Sequence, residues 1–317
     1  MMPLCYIGID TSNYTTSVAV VDAAGEVVAN LKAPLPVKAG ERGLRQSDAL
    51  FAHTKNLPLL LEGLGEILKD YTPVAVCVSD KPRGVEGSYM PCFLSGVVAA
   101  KAIAAARDIP LFTTSHQEGH LMAALYSSGA PLAAGAPFGA FHVSGGTTEM
   151  LLVKPDDTAF TVEKIGGTAD LNAGQAIDRI GVLMGLSFPA GPALEALARE
   201  NGKPVPRPRI SVCEGECHIS GLENMAARLY RETGDKPLVA AFVLQFIEDT
   251  LYAMATHLRA CHGPLPLVFA GGVMSNRIIK ASLTERLSHG VYFAEPAFSA
   301  DNAAGVALLC RAKAQLL

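Results

Sequence analysis

One pattern occurs twice along the chain and limits what it can fold into. An apolar run, Tyr6-Ile7-Gly8-Ile9, enters a small polar turn, Asp10-Thr11-Ser12-Asn13. A second apolar run follows at Ser17-Val18-Ala19-Val20-Val21, then a turn over 22–25 and a third extended piece at Glu26-Val27-Val28. The same events return at Ala140-Phe141-His142-Val143, Ser144-Gly145-Gly146-Thr147-Thr148 and Met150-Leu151-Leu152-Val153, with a turn over 154–157 and a further strand over 160–163. Short β-rich runs bounded by Gly, Asn, Asp and Ser read as strands joined by tight turns. A strand, polar turn and hairpin repeated half a chain apart imply a duplicated α/β fold of two lobes with a central cleft. The copies agree in pattern far better than in residue identity.

The segments between the repeats supply the helices. Leu57, Leu60, Leu61, Leu64, Ile67 and Leu68 mark a helix over 51–69, and an Ala-rich helix spans 95–107 before Pro110. Ser115 caps a helix that starts near His116, with Glu118 in its first turn. Helices are expected over 173–186, 192–200 and 238–259, the last with Leu244, Ile247, Leu251, Met254 and Leu258 on one face. Buried strands are expected at 74–78, 111–112 and 267–269, a linker near 127–137 and a loop over 201–218. At 317 residues the chain is long enough for two cores. We expect an N-terminal lobe of residues 1–113 with 300–317, and a C-terminal lobe of 114–299.

Half the residues are hydrophobic, which excludes a disordered chain. The formal net charge of -4 excludes a generally basic nucleic-acid coat but not a local basic patch. Residues 31–60 place Lys32, Lys38, Arg42, Arg45 and Lys55 against Glu41 and Asp48; residues 199–211 place Arg199, Lys203, Arg207 and Arg209 against Glu200. Each stretch is either a phosphate-binding patch or ordinary solvated surface. The seven cysteines show no CxxC spacing and read as reduced thiols in a cytoplasmic protein. The start of the chain lacks a basic region before its first acid, so no signal peptide is expected. The uncharged stretch 121–141 is broken by Gly129, Pro131, Gly135, Pro137 and Gly139, so no membrane span is expected there either.

Some residues could carry chemistry. His116 and His120, four apart at a helix start, face one side, a spacing suited to two metal ligands. The plainer alternative is one surface and one core histidine. Gln117 follows His116 where a zinc protease needs Glu, so that motif is absent. Gly145 and Gly146 let a ligand approach the backbone, while Ser144, Thr147 and the amides there can hold phosphate oxygens; a tight hairpin would also ask for such residues. Gly271-Gly272 after a strand can carry a flat base, with Asn276 on its edge, or is ordinary strand-to-helix turn chemistry. Asp178 either faces a ribose or lies on a solvated helix side. Cys213, Cys217 and His218 form a loop cluster that lacks a fourth metal ligand.

Taken in order, the stretches 8–21, His116-Gln117-Glu118-Gly119-His120, 143–148, 166–191, Ile219-Ser220-Gly221-Leu222, 271–277 and 299–305 resemble the tRNA threonylcarbamoyladenosine transferase family. That family belongs to the actin-like, sugar-kinase and heat-shock-protein ATPase (ASKHA) superfamily. The resemblance implies that His116, His120 and Asp301 hold one divalent metal, iron first and zinc second. It implies that Val143, Ser144, Gly145, Gly146, Thr147, Asp178, Gly191 and Asn276 hold the adenylate of threonylcarbamoyl-AMP. The threonylcarbamoyl group would pass to the N6 amine of the adenosine beside the tRNA anticodon. A small paralogous subunit and a small P-loop ATPase are the implied partners, with the tRNA anticodon loop as substrate.

The chain also departs from the family. Thr147 stands where the family usually has His, Gln175 where it has Glu, Glu223 where it has Lys, and Asp10 where it has Glu. A Gly-Pro-Gly loop is replaced by Ser79-Asp80-Lys81-Pro82-Arg83-Gly84, and Gln46-Ser47 replaces a Pro-Glu, although His53 is kept. A diverged paralogue is therefore the reading, with two alternatives: the same adenylate and metal site serving another carbamoyl acceptor, or a non-catalytic assembly partner. No residue identifies itself as a general base, and no nucleophile constellation supports a peptidase.

Overall fold

The computed structural model describes residues 2–12, 14–36, 44–130, 136–156, 160–299 and 303–316. They form two compact units. The first comprises Met1–Ser127, Pro155–Thr161 and Ala297–Leu317, the second Ser128–Lys154 and Val162–Pro296.

The first unit opens with β1 (Leu4–Ser12), β2 (Thr15–Asp22) and β3 (Val27–Pro34), an antiparallel meander. Helix α1 (Gln46–Ile67) leads to β4 (Thr72–Lys81), helix α2 (Leu94–Arg107) to β5 (Leu111–Ser115), and α3 (His116–Ser128) follows. β4 lies parallel to β1 and β5 parallel to β4, giving the order β3-β2-β1-β4-β5. The core joins Ile7, Ile9, Val18, Val20, Val76 and Val78 of the sheet to Leu57, Leu60 and Leu64 of α1. Each such side chain contributes about 1.5–3 kcal/mol when fully buried.

The second unit repeats the plan with β6 (Phe138–Val143), β7 (Thr148–Pro155) and β8 (Phe160–Thr168). Then come α4 (Ala173–Leu183), α5 (Gly191–Glu200), the short strands β9 (Ser211–Cys213) and β10 (Glu216–His218), α6 (Gly221–Thr233) and α7 (Lys236–His262). β11 (Leu267–Ala270), α8 (Arg277–Leu287) and β12 (Val291–Phe293) complete a sheet of order β12-β11-β6-β7-β8-β10-β9. Five of its strands, β8-β7-β6-β11-β12, match the first sheet strand for strand. The duplication seen in the sequence is thus a duplication of topology. Phe141, Phe269 and Phe293 stack across β6, β11 and β12 at 4.7 and 5.0 Å between centroids. α7 is long and apolar enough to cross a membrane, but 72% of its most apolar window is buried against this core.

The chain then passes through α9 (Pro296–Ser299) to α10 (Ala304–Ala314), which packs on β1 of the first unit. The fit depends on glycine: a Cβ on Gly8 would overlap the backbone at Ala303 and Ala307. A Cβ on Gly305 would overlap the Gly119 carbonyl oxygen. That close approach of α10 to α3 keeps the first unit continuous to Ser127, beyond the break expected after residue 113. The expected loop over 201–218 also contains the β9–β10 hairpin, whose three-residue strands are too short to leave a periodic signal.

Candidate functional site

In the first unit the site is built where β5 gives way to α3. Glu118 N–H donates to Ser115 Oγ at 3.2 Å, and Ser115 N–H donates to Glu118 Oε2 at 2.7 Å. This reciprocal cap fixes the first turn of the helix. On that turn the rings of His116 and His120 lie 4.3 Å apart between centroids. Both are half-buried, so the division into one core and one surface histidine does not describe them.

Behind His116 stands Asp10, completely buried at the end of β1. Its Oδ1 accepts from Ser79 and lies 3.1 Å from His116 Nδ1, while its Oδ2 accepts from Ser12 Oγ at 2.5 Å. Burial pushes the carboxyl up, but the charge and hydrogen bond of His116 and the two hydroxyls outweigh it. They hold Asp10 below the ordinary carboxylate range. A carboxylate on Nδ1 orients the ring and assigns any metal ligation to Nε2. The two imidazoles and the carboxylate behind them therefore fit a divalent metal, and imidazole donors suit iron and zinc alike. Asp301 lies outside the described residues. Among the described residues no group of three His, Cys, Asp or Glu forms a complete ligand set.

In the second unit the turn after β6 is held from within: Ser144 Oγ accepts from the amides of Gly146 and Thr147 at 3.3 and 3.1 Å. The first turn of α4 abuts it. Gly174 N–H donates to Ser144 O at 3.1 Å, and a Cβ on Gly174 would lie 2.6 Å from Gly145 N. From the other side Gly271, at φ +101°, presses on Val143, whose carbonyl oxygen any Cβ would overlap. Packing therefore demands glycine at 174 and 271. It does not demand glycine at Gly145, Gly146, Gly191 or Gly272, where a Cβ would meet nothing within 4 Å. Bare backbone facing open space is what a ligand resting on these segments requires.

Two expected contacts do structural work here. Asn276 caps α8, its Oδ1 accepting from Ile278 and Ile279 N–H at 3.0 and 3.1 Å, so the carbonyl end is engaged and only the amide NH2 end is left for a base. Asp178 Oδ1 accepts from Ala190 N–H at 2.8 Å, tying the segment before Gly191 to α4. Burial pushes the Asp178 carboxyl up despite that bond. Beside Gly191 and Asn276 lies a pocket of about 300 Å³ lined by Pro192, Glu195, Ala196, Arg199 and Arg277. Arg199 is marked in the sequence only as part of a basic stretch and Arg277 only as the end of a family-like stretch; nothing in their spacing marks α5 and the start of α8 as neighbours.

Other expectations resolve differently. Cys217 is buried and its thiol is pushed up to about 12 by desolvation, while Cys213 is exposed. His218 turns toward Asp170 and Glu216 instead, and among the described residues the three do not come together as a ligand set. His53 is buried, with Nδ1 2.9 Å from Thr16 Oγ1. Glu223 pairs with Arg179 at 3.2 Å. In the second basic stretch Arg199 pairs with Glu195 and Lys203 with Asp235, leaving the exposed Arg207 and Arg209 outside these ion pairs. In the first, Lys38 and Arg42 lie outside the described residues, and Lys32 Nζ donates to Ala297 O at 2.7 Å.

Two sheets that share a five-strand topology, one in each unit, make an ASKHA-like fold. Solved structures agree on the fold. Full-length HypF in its phosphate- and nucleotide-bound form superposes with a TM-score of 0.64 at 13% identity, covering 99% of this chain and 56% of that one. The chain thus spans about half of HypF. A ROK family glucokinase from Streptomyces griseus, in complex with glucose and AMPPNP, gives 0.51 at 15% identity over 98% of this chain and 99% of that one. The family model TsaD, tRNA N6-adenosine threonylcarbamoyltransferase, matches residues 51–308. A tRNA N6-adenosine threonylcarbamoyltransferase of Prochlorococcus marinus is 32% identical over 283 residues, 82% of this chain and 76% of that protein. The chain belongs to the tRNA N6-adenosine threonylcarbamoyltransferase family, a family of transferases.

Proposed function

We propose that this protein transfers a threonylcarbamoyl group from threonylcarbamoyl-AMP to the N6 amine of the adenosine next to the tRNA anticodon. The observation that carries the adenylate half is the set of open glycines, Gly145, Gly146, Gly191 and Gly272, on segments that pack together in one unit. A carbamoyl–phosphate anhydride is already activated, so the protein has mainly to position it and stabilise the departing charge. The amides of 145–147 would take the phosphate, replacing the weak bonds that Ser144 Oγ now accepts. The pocket beside Gly191 and Asn276 would take the nucleoside. His116, His120 and Asp301 would hold a divalent metal, which supplies Lewis acidity toward substrate oxygens. Asp10 would keep the His116 ring in its tautomer.

A partner subunit is supported by exposed apolar side chains on two helices that pack together, Phe51 and Leu59 of α1 with Leu94 and Val98 of α2. A small paralogous subunit in a reducing, cytoplasmic setting fits them. One observation favours a second reading with another carbamoyl acceptor. The Arg179–Glu223 ion pair gives position 223 the charge opposite to the family's lysine.

The deciding experiment supplies the purified protein and its partner with threonylcarbamoyl-AMP and unmodified tRNA, then separates nucleosides by mass spectrometry. Threonylcarbamoyladenosine should form and should fall at least 100-fold in His116→Ala. Donor consumed without that nucleoside would select the other acceptor.

A further inference from the structure

Asp301, the third ligand of the metal proposed above, falls between Ser299 and Ala303, both of them buried. Downstream, a Cβ on Gly8 would lie 2.6 Å from the Ala303 carbonyl oxygen, and one on Gly305 would overlap the carbonyl of Gly119. Gly119 stands between His116 and His120. Four residues of chain span at most about 14 Å, so the contact at Gly305 keeps position 301 near the paired-histidine turn. Upstream, two side chains of the first unit hold α9. Lys32 Nζ donates to Ala297 O at 2.7 Å. Phe298 meets the Tyr126 ring edge-on, with 5.5 Å between centroids and 64° between planes, and packs on the cluster of Ala19, Val21, Ala304 and Ala307. Tyr126 is itself pinned: its hydroxyl donates to Glu26 Oε2 at 3.1 Å and accepts from Val27 N–H at 3.3 Å. Tyr126 lies near the end of α3, the helix whose first turn carries both histidines. One helix therefore touches the chain on each side of Asp301, at Phe298 and at Gly305.

We propose that Phe298, seated on Tyr126, is a positioning residue for the metal: it fixes the chain three residues ahead of Asp301, so that this carboxylate is presented to the two imidazoles. The inference rests on the metal reading given above. A ligand on a chain anchored at both ends has little conformational freedom left to lose on coordination. Without the upstream anchor that freedom is lost only when the metal binds, and affinity falls. The edge-on ring pair supplies the anchor, since such pairs hold beyond the apolar area they bury.

The test titrates Co2+ into the metal-free full-length protein and follows the visible absorption of the bound ion. Phe298→Ala should weaken Co2+ binding about three- to tenfold. Tyr126→Phe, which keeps the ring, should stay within about twofold. The decisive comparison adds Phe298→Ala to Asp301→Ala. No further loss should follow there, because no carboxylate is left to position. An equal loss in both backgrounds would make Phe298 a general support of the fold and overturn the inference. Unchanged Co2+ affinity in Phe298→Ala would overturn it too, and either result leaves the metal reading standing. Should Phe298→Ala fail to fold, Tyr126→Leu, which removes the partner ring, takes its place in the same comparison. A wild type that binds no Co2+, or an Asp301→Ala variant that binds it as tightly as wild type, would sink the metal reading and this inference together.

Discussion

Asp10 shows how much of a site can lie in a residue that touches no ligand. A fully buried carboxylate is unfavourable unless it is paired, and this one is bonded to His116, Ser12 and Ser79. Asp10→Asn removes the charge while keeping the size, and it turns one acceptor into a donor facing the Ser12 or Ser79 hydroxyl. Loss of a carboxylate behind a metal-ligating imidazole typically lowers metal affinity ten- to a hundredfold. We expect that range for Asp10→Asn in metal titrations followed by elemental analysis, against essentially complete loss for His116→Ala. Unchanged affinity in Asp10→Asn would reduce Asp10 to a packing residue. The sequence made Asp10 legible as a polar turn residue and His116 as a candidate ligand, but not their contact, since 106 positions separate them. Asn276 is a similar case. Its position after a glycine pair was legible, whereas the capping bonds that engage its carbonyl depend on the local start of α8.

At the scale of elements, the strand-turn-strand repeat was readable because each sheet holds three sequence-adjacent neighbouring strands, the first two antiparallel in both. Their alternation and turns are local properties. What escaped was set by tertiary contact. Nothing in the sequence of α3 says that it packs on α10, because the deciding residues are two glycines far apart in the chain, Gly119 and Gly305. Their backbones approach so closely that a Cβ on Gly305 overlaps the Gly119 carbonyl and lies 2.8 Å from Ala123 N. Both neighbours are backbone in helices and cannot swing aside. Gly305→Ala should therefore cost about 1–3 kcal/mol, as overpacking of a close-packed interior does. It should lower Tm by several degrees and loosen the turn bearing His116 and His120. Gly202→Ala, where a Cβ meets nothing within 4 Å, serves as the control. Equal Tm values for the two variants would show that α3 and α10 adjust freely.

For the molecule as a whole, charge decides how tightly it can hold an RNA unaided. A net -4 opposes a polyanion. The basic stretches that offset it in the sequence are weaker in three dimensions. Arg199 and Lys203 are matched by Glu195 and Asp235, acids that lie outside the stretch that made it look basic. Linear counting cannot see such partners, because ion pairing follows helix faces and loop ends. Among the described residues, the exposed Arg45 and Lys55 of the first stretch and Arg207 and Arg209 of the second form no ion pair and are the cations of these stretches placed to meet phosphates. Each phosphate contact on a single strand steepens the salt dependence of log K by about 0.7. Stem-loop binding by this protein alone should then show a slope no steeper than about -3, the value for roughly four contacts. Adding the partner subunit should steepen it, because the missing phosphate contacts would come from that chain. A slope near -6 for the isolated protein, measured by anisotropy over a range of salt concentrations, would require a basic surface that its ion pairs do not leave, and would remove the electrostatic reason for a partner.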